Sequence, residues 1–327
     1  MKKIAMFDAK SYDKVWFDKL KGNYDFDITY FEEKLSPEVA KLAKGFDAVC
    51  AFVNDDLSAG TMDVLAGSDV DAIAMRCAGF DRVDLKSAEG RVKVFRVPAY
   101  SPNAVAEHAM ALLMCLNRNL HTAYNRCTKY DFTLHGLMGF DLVGKTVGVI
   151  GTGKIGQVFV NICKGLGMNI LAYDIFPVDI PGIKYVELPE LFAKSDVISL
   201  HCPMSPENRH LIKKENLDMM KDGVYIINTS RGGLVNGADL LDALNSGKVG
   251  AAGLDVYEFE SGVFFEDRTK DMPDDKVLKA LLAHPNVLIT AHQAYLTEEA
   301  LKAIAEVSLQ NLADFFAGKE TANEVKL

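Results

Sequence analysis

The chain has 327 residues, 49% apolar and 25% charged, a balance that suits a globular protein with room for two domains. Its formal net charge of −9 sets the overall field against nucleic acid and anionic membranes, so a small anionic ligand must be drawn by a local positive site. The six cysteines form no C-x-x-C pair and no zinc-spaced cluster, which predicts reduced thiols in a cytoplasmic protein without a metal. The opening MKKIAMFDAK meets Asp8 before an apolar signal core can form.

From there, short apolar runs alternate with helical patterns. The first set of predicted strands is Lys3–Phe7, Phe26–Phe31, Ala48–Val53, Ala72–Cys77 and Val92–Val97. Apolar strands separated by helices argue a parallel sheet covered on both faces. The stretch VPAYSPNAVAEHAMALLMCLNR breaks this rhythm. Ser101 suits an N-cap and Pro102 a first helical position, and the helix runs to about Arg118. It is too short for a membrane span and carries Glu107 and His108. Being apolar on most faces, it is expected to pack between domains or subunits, and a homodimer through this region is the expected assembly.

The second set is Thr146–Ile150, Ile170–Tyr173, Val197–Leu200, Val224–Asn228, Ala251–Asp255 and Val287–Thr290. Six strands with intervening helices predict a doubly wound, Rossmann-type parallel sheet. The last helix, about Thr297 to Ala317, begins after that sheet is complete, so it is expected to cross back to the first domain. The fold class is therefore α/β with two domains. A smaller, discontinuous substrate domain takes 1–100 plus 299–327, and a dinucleotide-binding domain takes 101–298.

Within the second domain, KTVGVIGTGKIGQVF gives a strand, then Gly151, Gly153 and Gly156 in G-x-G-x-x-G spacing, then a helix. The first glycine allows a tight turn, the second lets backbone approach a pyrophosphate, and the third lets helix and sheet pack closely. The helix start, at Lys154 and Ile155, offers free N–H groups and a positive dipole end to phosphates. Asp174 ends the next strand, 18 residues past Gly156. A carboxylate there accepts hydrogen bonds from a ribose and repels a 2′-phosphate. No Lys or Arg follows it within 175–179, so NAD is predicted over NADP.

Three charged groups stand past the carboxyl ends of successive predicted strands: Arg231 in NTSRGGLVN, Glu260 in LDVYEFE and His292 in ITAHQAY. Ligands bind at that edge of open parallel sheets. Singly, each fits a surface ion pair, a solvated acid or a structural histidine. Together they fit proton transfer beside a bound anion. With the glycine run, these motifs resemble the D-isomer-specific 2-hydroxyacid dehydrogenases over essentially the whole chain, and VPAYSPNAVAEHA resembles that family's domain crossing. Within the family the likeness is greatest to the D-lactate dehydrogenases. VPAYSPN and the long acidic, aromatic insert DVYEFESGVFFEDRTKDMPDD carry that likeness.

The resemblance implies a flavodoxin-like first domain and an NAD-dependent reduction of a small 2-oxo acid such as pyruvate. It makes Arg231 the carboxylate-binding arginine, Glu260 the acid that orients the histidine, and His292 the general acid/base. A carboxylate beside an imidazole favours its protonated form. Gly232 and Gly233 are expected to let the backbone turn sharply behind Arg231. Substrate contacts implied by the family are Tyr100, Phe52 with Val53, Tyr295, and Ala78 and Gly79 in the loop Cys77–Phe80. The aromatic residues fit plain core packing equally well. Cofactor contacts implied are Cys202, Pro203, Asn208, Thr229, Ser230, Arg231 and Asp255, the last of which also fits a turn residue. His108, His121, His135, His201, His210 and His284 share no spacing and read as structural or surface residues. Two other readings stay open: a dehydrogenase for a larger 2-oxo acid such as 2-oxoisocaproate, and a dinucleotide-sensing corepressor-like protein.

Overall fold

The computed structural model describes residues 1–80 and 82–327, which divide into two compact units. One unit is Met1–Ser101 with Leu296–Leu327, the other Pro102–Tyr295.

The first unit is built on five parallel strands: β1 (Lys2–Met6), β2 (Phe26–Tyr30), β3 (Ala48–Ala51), β4 (Ala72–Met75) and β5 (Lys93–Phe95). Their order, β2-β1-β3-β4-β5, is the flavodoxin-like order. Period-2 alternation divides the core between the two faces. Ala5, Phe7, Val49, Ala51, Ile73 and Met75 pack into one cluster, while Ile4, Met6, Ala48, Cys50, Ala72 and Ala74 pack into the other. The second cluster is closed by Ala305, Leu309 and Leu312 of the helix Glu298–Phe316. That helix starts where Thr297 accepts a hydrogen bond from the Ala300 N–H.

The second unit has seven parallel strands: β6 (Thr146–Ile150), β7 (Asn169–Tyr173), β8 (Lys184–Tyr185), β9 (Val197–Leu200), β10 (Val224–Asn228), β11 (Val249–Leu254) and β12 (Val287–Ile289). The order β12-β11-β10-β9-β6-β7-β8 is a doubly wound sheet whose chain direction switches between β6 and β9. β8 has only two residues, too short for any periodicity, and the sequence reading missed it. The helix Pro102–Asn117 buries Ala106, Ala109, Leu112, Leu113 and Leu116 within this unit, in the same cluster as Val147, Val149, Ile227 and Ala251. Its apolar faces are thus covered by its own unit's sheet and by the helix Lys154–Gly165.

Candidate active site

The glycine loop has the geometry its spacing predicts. Gly151 sits at φ +97°, and a Cβ there would lie 2.6 Å from the backbone of His201 and Cys202. A Cβ on Gly156 would lie 2.0 Å from the Gly151 carbonyl oxygen. Gly153, by contrast, would meet nothing within 4 Å, so its approach side is open. Gly153 is also the N-cap of the helix beginning at Lys154 and Ile155, and it leaves the first-turn N–H groups uncapped by any side chain. Asp174 closes the loop from the next strand: Oδ2 accepts from the Thr152 N–H (2.6 Å) and hydroxyl (3.1 Å), and Oδ1 from the Phe176 N–H (2.9 Å). A carboxylate oxygen can accept two bonds, and Oδ1 accepts one, so it keeps acceptor capacity for a ribose. The Thr229 hydroxyl and the His201 Nδ1 are enclosed without a hydrogen-bond partner. A dinucleotide fits this edge, from the open glycine to the spare acceptor.

Arg231, Glu260 and His292 stand on the same carboxyl edge. Beyond β10, the buried Asn228 shapes the turn: its Nδ2 donates to the Arg231 carbonyl (2.9 Å), and its Oδ1 accepts from the Ser230 N–H (3.0 Å). The Ser230 hydroxyl donates to the Cys202 carbonyl at 2.5 Å. Arg231 is half-buried, and its Nη1 donates to the Ser230 carbonyl at 2.9 Å. The backbone does turn sharply behind Arg231, in the 3-10 turn Gly232–Leu234, but without a positive φ at Gly232, so the turn itself does not require glycine there. A Cβ there would lie 2.0 Å from the Tyr257 carbonyl carbon and 2.4 Å from the Glu258 nitrogen. The glycine is needed because the Arg231 loop lies directly on the loop that leads to Glu260.

His292 follows β12 with φ +54°, a left-handed conformation uncommon for a residue with a side chain. Its N–H donates to the Asp255 carbonyl at 2.7 Å. The imidazole Nδ1 is 2.8 Å from Glu260 Oε1, and Glu260 Oε2 accepts from the Tyr257 N–H at 3.0 Å. A carboxylate only accepts, so Nδ1 carries a hydrogen and Nε2 is the nitrogen free to give or take a proton. Phe265, from the acidic aromatic insert, places its ring 5.8 Å from the imidazole. Nothing in the residue pattern marked Phe265 out from Phe264, which is buried core.

The remaining expected cofactor contacts lie nearby, with their polar atoms already engaged. Asn208 binds within its own loop, accepting from the Ser205 N–H (2.7 Å) and donating to the Pro203 carbonyl (2.8 Å). Burial pushes the Cys202 thiol up to about 11, so it stays uncharged beside the loop. Asp255 is fully buried, and its carboxylate accepts from the Thr290 hydroxyl (2.5 Å) and from the Gln293 (2.8 Å) and Ala294 (2.9 Å) N–H groups. Of its two sequence readings, this geometry is that of a loop anchor. His108 is no isolated structural histidine: its Nε2 is 3.0 Å from Thr290 Oγ1 and 3.4 Å from Asp255 Oδ1. The separation of 182 positions between His108 and Thr290 hid that meeting from a sequence reading. Tyr295 is buried.

Phe52, Ala78, Gly79 and Tyr100 belong to the first unit. There a fully buried guanidinium, Arg76, lies 4.8 Å from the centre of the Phe52 ring and donates to the carbonyls of Phe7 (2.9 Å) and Asp8 (2.6 Å). Asp13 is 3.4 Å from its Nε, and Asp55 accepts from the Phe52 N–H at 2.6 Å. Burial pushes both carboxyls up while Arg76 pulls them down. Ala78 and Gly79 are pinned through their carbonyls, by Arg96 Nη1 (3.2 Å) and by the Cys77 thiol (3.2 Å). The sequence reading missed Arg76, although an arginine closing an apolar strand repeats the signal that marked Arg231.

Residues 110–294 match the family model for the NAD-binding domain of the D-isomer-specific 2-hydroxyacid dehydrogenases. The chain belongs to that family. It is 50% identical to a 2-hydroxyacid dehydrogenase homolog of Haemophilus influenzae and 48% identical to the D-lactate dehydrogenase of Escherichia coli, each over 99% of both chains. The apo-structure of the Escherichia coli D-lactate dehydrogenase matches with a TM-score of 0.91, at 46% identity in the structural alignment, over 99% of each chain. The D-2-hydroxyacid dehydrogenases are NAD-dependent enzymes, and the second unit is their NAD-binding domain. Among the described residues, no helix is long and apolar enough to cross a membrane, and no three His, Cys, Asp or Glu are grouped to hold a metal ion.

Proposed function

We propose that the protein is a D-lactate dehydrogenase that reduces pyruvate to D-lactate with NADH, reversibly. The observation that carries this reading is the His292–Glu260 pair, 2.8 Å apart on the same sheet edge as Arg231 and the open glycine loop. Gly151, Gly153 and the helix start at Lys154 and Ile155 take the pyrophosphate, Asp174 the adenosine ribose, and Cys202, Pro203, Asn208, Thr229 and Ser230 line the remainder. NADH, when bound, supplies the hydride for the keto carbon. The Arg231 guanidinium offers a planar fork to the substrate carboxylate and draws electron density from the ketone oxygen. Protonated His292 gives its Nε2 proton to the developing alkoxide, and Glu260, 2.8 Å from Nδ1, holds the ring in the orientation and tautomer that leave Nε2 for the substrate. Phe52, Ala78, Gly79, Tyr100 and Tyr295 enter the proposal as substrate contacts through family membership.

A homodimer belongs to the same proposal. The segment after the helix Pro102–Asn117 exposes Leu120, Tyr124, Tyr130, Phe132, Leu134 and Met138, and clustered exposed apolar side chains mark interaction surfaces. Six free thiols fit a reducing, cytoplasmic setting. The reading for a larger 2-oxo acid draws on the Haemophilus influenzae relative, whose name leaves the acid unspecified. Loss of NADH absorbance with pyruvate, 2-oxobutyrate and 2-oxoisocaproate decides between them: kcat/KM is expected to fall along that series. A maximum at the largest acid would favour the second reading. No turnover with any of them, despite NADH binding, would favour a sensor.

A further inference from the structure

Thr290, Asp255 and His108 form a closed polar triangle whose hydrogens can be assigned. The Thr290 hydroxyl has one proton, and at 2.5 Å it goes to Asp255 Oδ1. Thr290 Oγ1 can therefore only accept from His108, so His108 Nε2 carries a hydrogen and gives it over 3.0 Å. The same Nε2 faces Asp255 Oδ1 at 3.4 Å. Asp255 is fully buried, and its carboxylate takes the N–H groups of Gln293 and Ala294 while its carbonyl takes the N–H of His292. Asp255 thus holds His292, whose backbone is in the left-handed region, together with the two residues that follow it. Such a conformation is strained and persists only where the surroundings over-determine it.

His108 reaches this triangle because of how its helix packs. His108, Leu112 and Leu116 fall at i, i+4 and i+8, on one face of the helix Pro102–Asn117. A Cβ on Gly253 in β11 would lie 3.0 Å from Leu112 Cβ and 3.2 Å from Leu116 Cδ1, so the bare glycine lets the helix settle onto the strand that ends beside Asp255. The contact delivers one donor to the place where a buried carboxylate holds the loop of the acid–base residue.

We propose that His108 is a positioning residue for the acid–base step: through Thr290 and Asp255, its Nε2–H fixes the loop that aims the His292 imidazole. The inference rests on the reading of His292 as the general acid/base. His108 makes its hydrogen bond to Thr290 and its ion pair to Asp255, not to His292 or Glu260, so its polar contacts reach turnover through the loop.

The test compares the full-length wild type, His108→Leu, His108→Gln and His292→Gln. Each is assayed for kcat and KM with pyruvate, for NADH dissociation constant by fluorescence, and for melting temperature. Leucine fills the space without a donor; glutamine restores an amide N–H near the Nε2 position. Displacing a reacting group by about 1 Å can cost up to about 100-fold, so His108→Leu is expected to lose about 10- to 100-fold in kcat. Pyruvate KM and NADH affinity are expected to stay within about twofold, and His108→Gln is expected to recover most of kcat. Wild-type kcat in His108→Leu would overturn the proposal. So would an equal loss in His108→Gln together with a lowered melting temperature, which would mark His108 as merely structural. Near-normal turnover in His292→Gln would overturn the reading beneath it, and the His108 proposal with it.

Discussion

Gly232→Ala separates the two loops that carry the reactive groups. The added methyl would start 2.0 Å from the Tyr257 carbonyl carbon, 2.2 Å from its oxygen and 2.4 Å from the Glu258 nitrogen. These are backbone atoms and cannot rotate away. The loops must move apart by roughly 1 Å or more to bring carbon atoms to ordinary contact near 3.5 Å. Gly232 lacks a positive φ, so alanine is not barred by conformation and the whole effect is steric. Overpacking of this kind costs about 1–3 kcal/mol, and each kcal/mol lowers Tm by about 2–4 °C in a unit of this size. The functional loss is expected to be larger. Glu260 is held through the Tyr257 N–H at 3.0 Å, and His292 is held through Glu260 at 2.8 Å. A shift of the 257–258 backbone therefore moves the imidazole, and kcat is expected to fall by about 10- to 100-fold. Steady-state NADH oxidation with pyruvate and thermal melting read both effects. A Gly232→Ala protein with wild-type Tm and kcat would refute the argument that this close approach sets the geometry of the acid–base pair.

Gly153→Ala is the counterpart, because a Cβ there meets no protein atom within 4 Å. Tm is expected to stay unchanged while NADH affinity, read by fluorescence titration, falls; unchanged affinity would contradict the pyrophosphate assignment. Arg231→Lys removes the planar fork, and losing one charge-assisted bond of about 1.5–3 kcal/mol is expected to raise pyruvate KM by about 10- to 100-fold, with a smaller loss in kcat. A change confined to NADH affinity would contradict the carboxylate role. Burial holds the His201 imidazole down at about 3, against 6.5 for the exposed group. Its neutral form therefore stabilises the fold fully above about pH 6.5, and that stabilisation is lost as pH falls from there toward 3. The wild type is expected to lose Tm more steeply than His201→Gln between pH 6.5 and 4; parallel slopes would contradict the burial argument.

Sheet architecture was legible because strands buried on both faces leave apolar runs. Val147–Ile150, Val197–Leu200 and Val224–Ile227 stand out by composition alone, whereas the pair Lys184–Tyr185 gives no such run. The glycine loop and the placing of Arg231, Glu260 and His292 on one edge were legible because each sits within a few residues of a strand's carboxyl end, where sequence position and spatial position coincide. What escaped the reading depends on meetings far apart in the chain. Arg76 gathers Asp8, Asp13 and Asp55 across the first unit's sheet edge. His108 joins Thr290 through a helix whose approach is set by Gly253. The steric need for glycine at 232 was hidden because its neighbour in space, Tyr257, is 25 positions away. In these cases packing decides what the side chain does, and packing leaves no local pattern.

The central claim is that the imidazole of His292, oriented by Glu260, delivers the proton that completes reduction of a 2-oxo acid. Rapid mixing of the NADH-loaded protein with pyruvate, followed at the NADH absorbance and by the chirality of the lactate formed, tests it most directly. The wild type is expected to consume NADH and yield D-lactate, and His292→Gln to bind NADH with unchanged affinity yet turn over at least about 1,000-fold more slowly. Wild-type NADH consumption by His292→Gln would contradict the account.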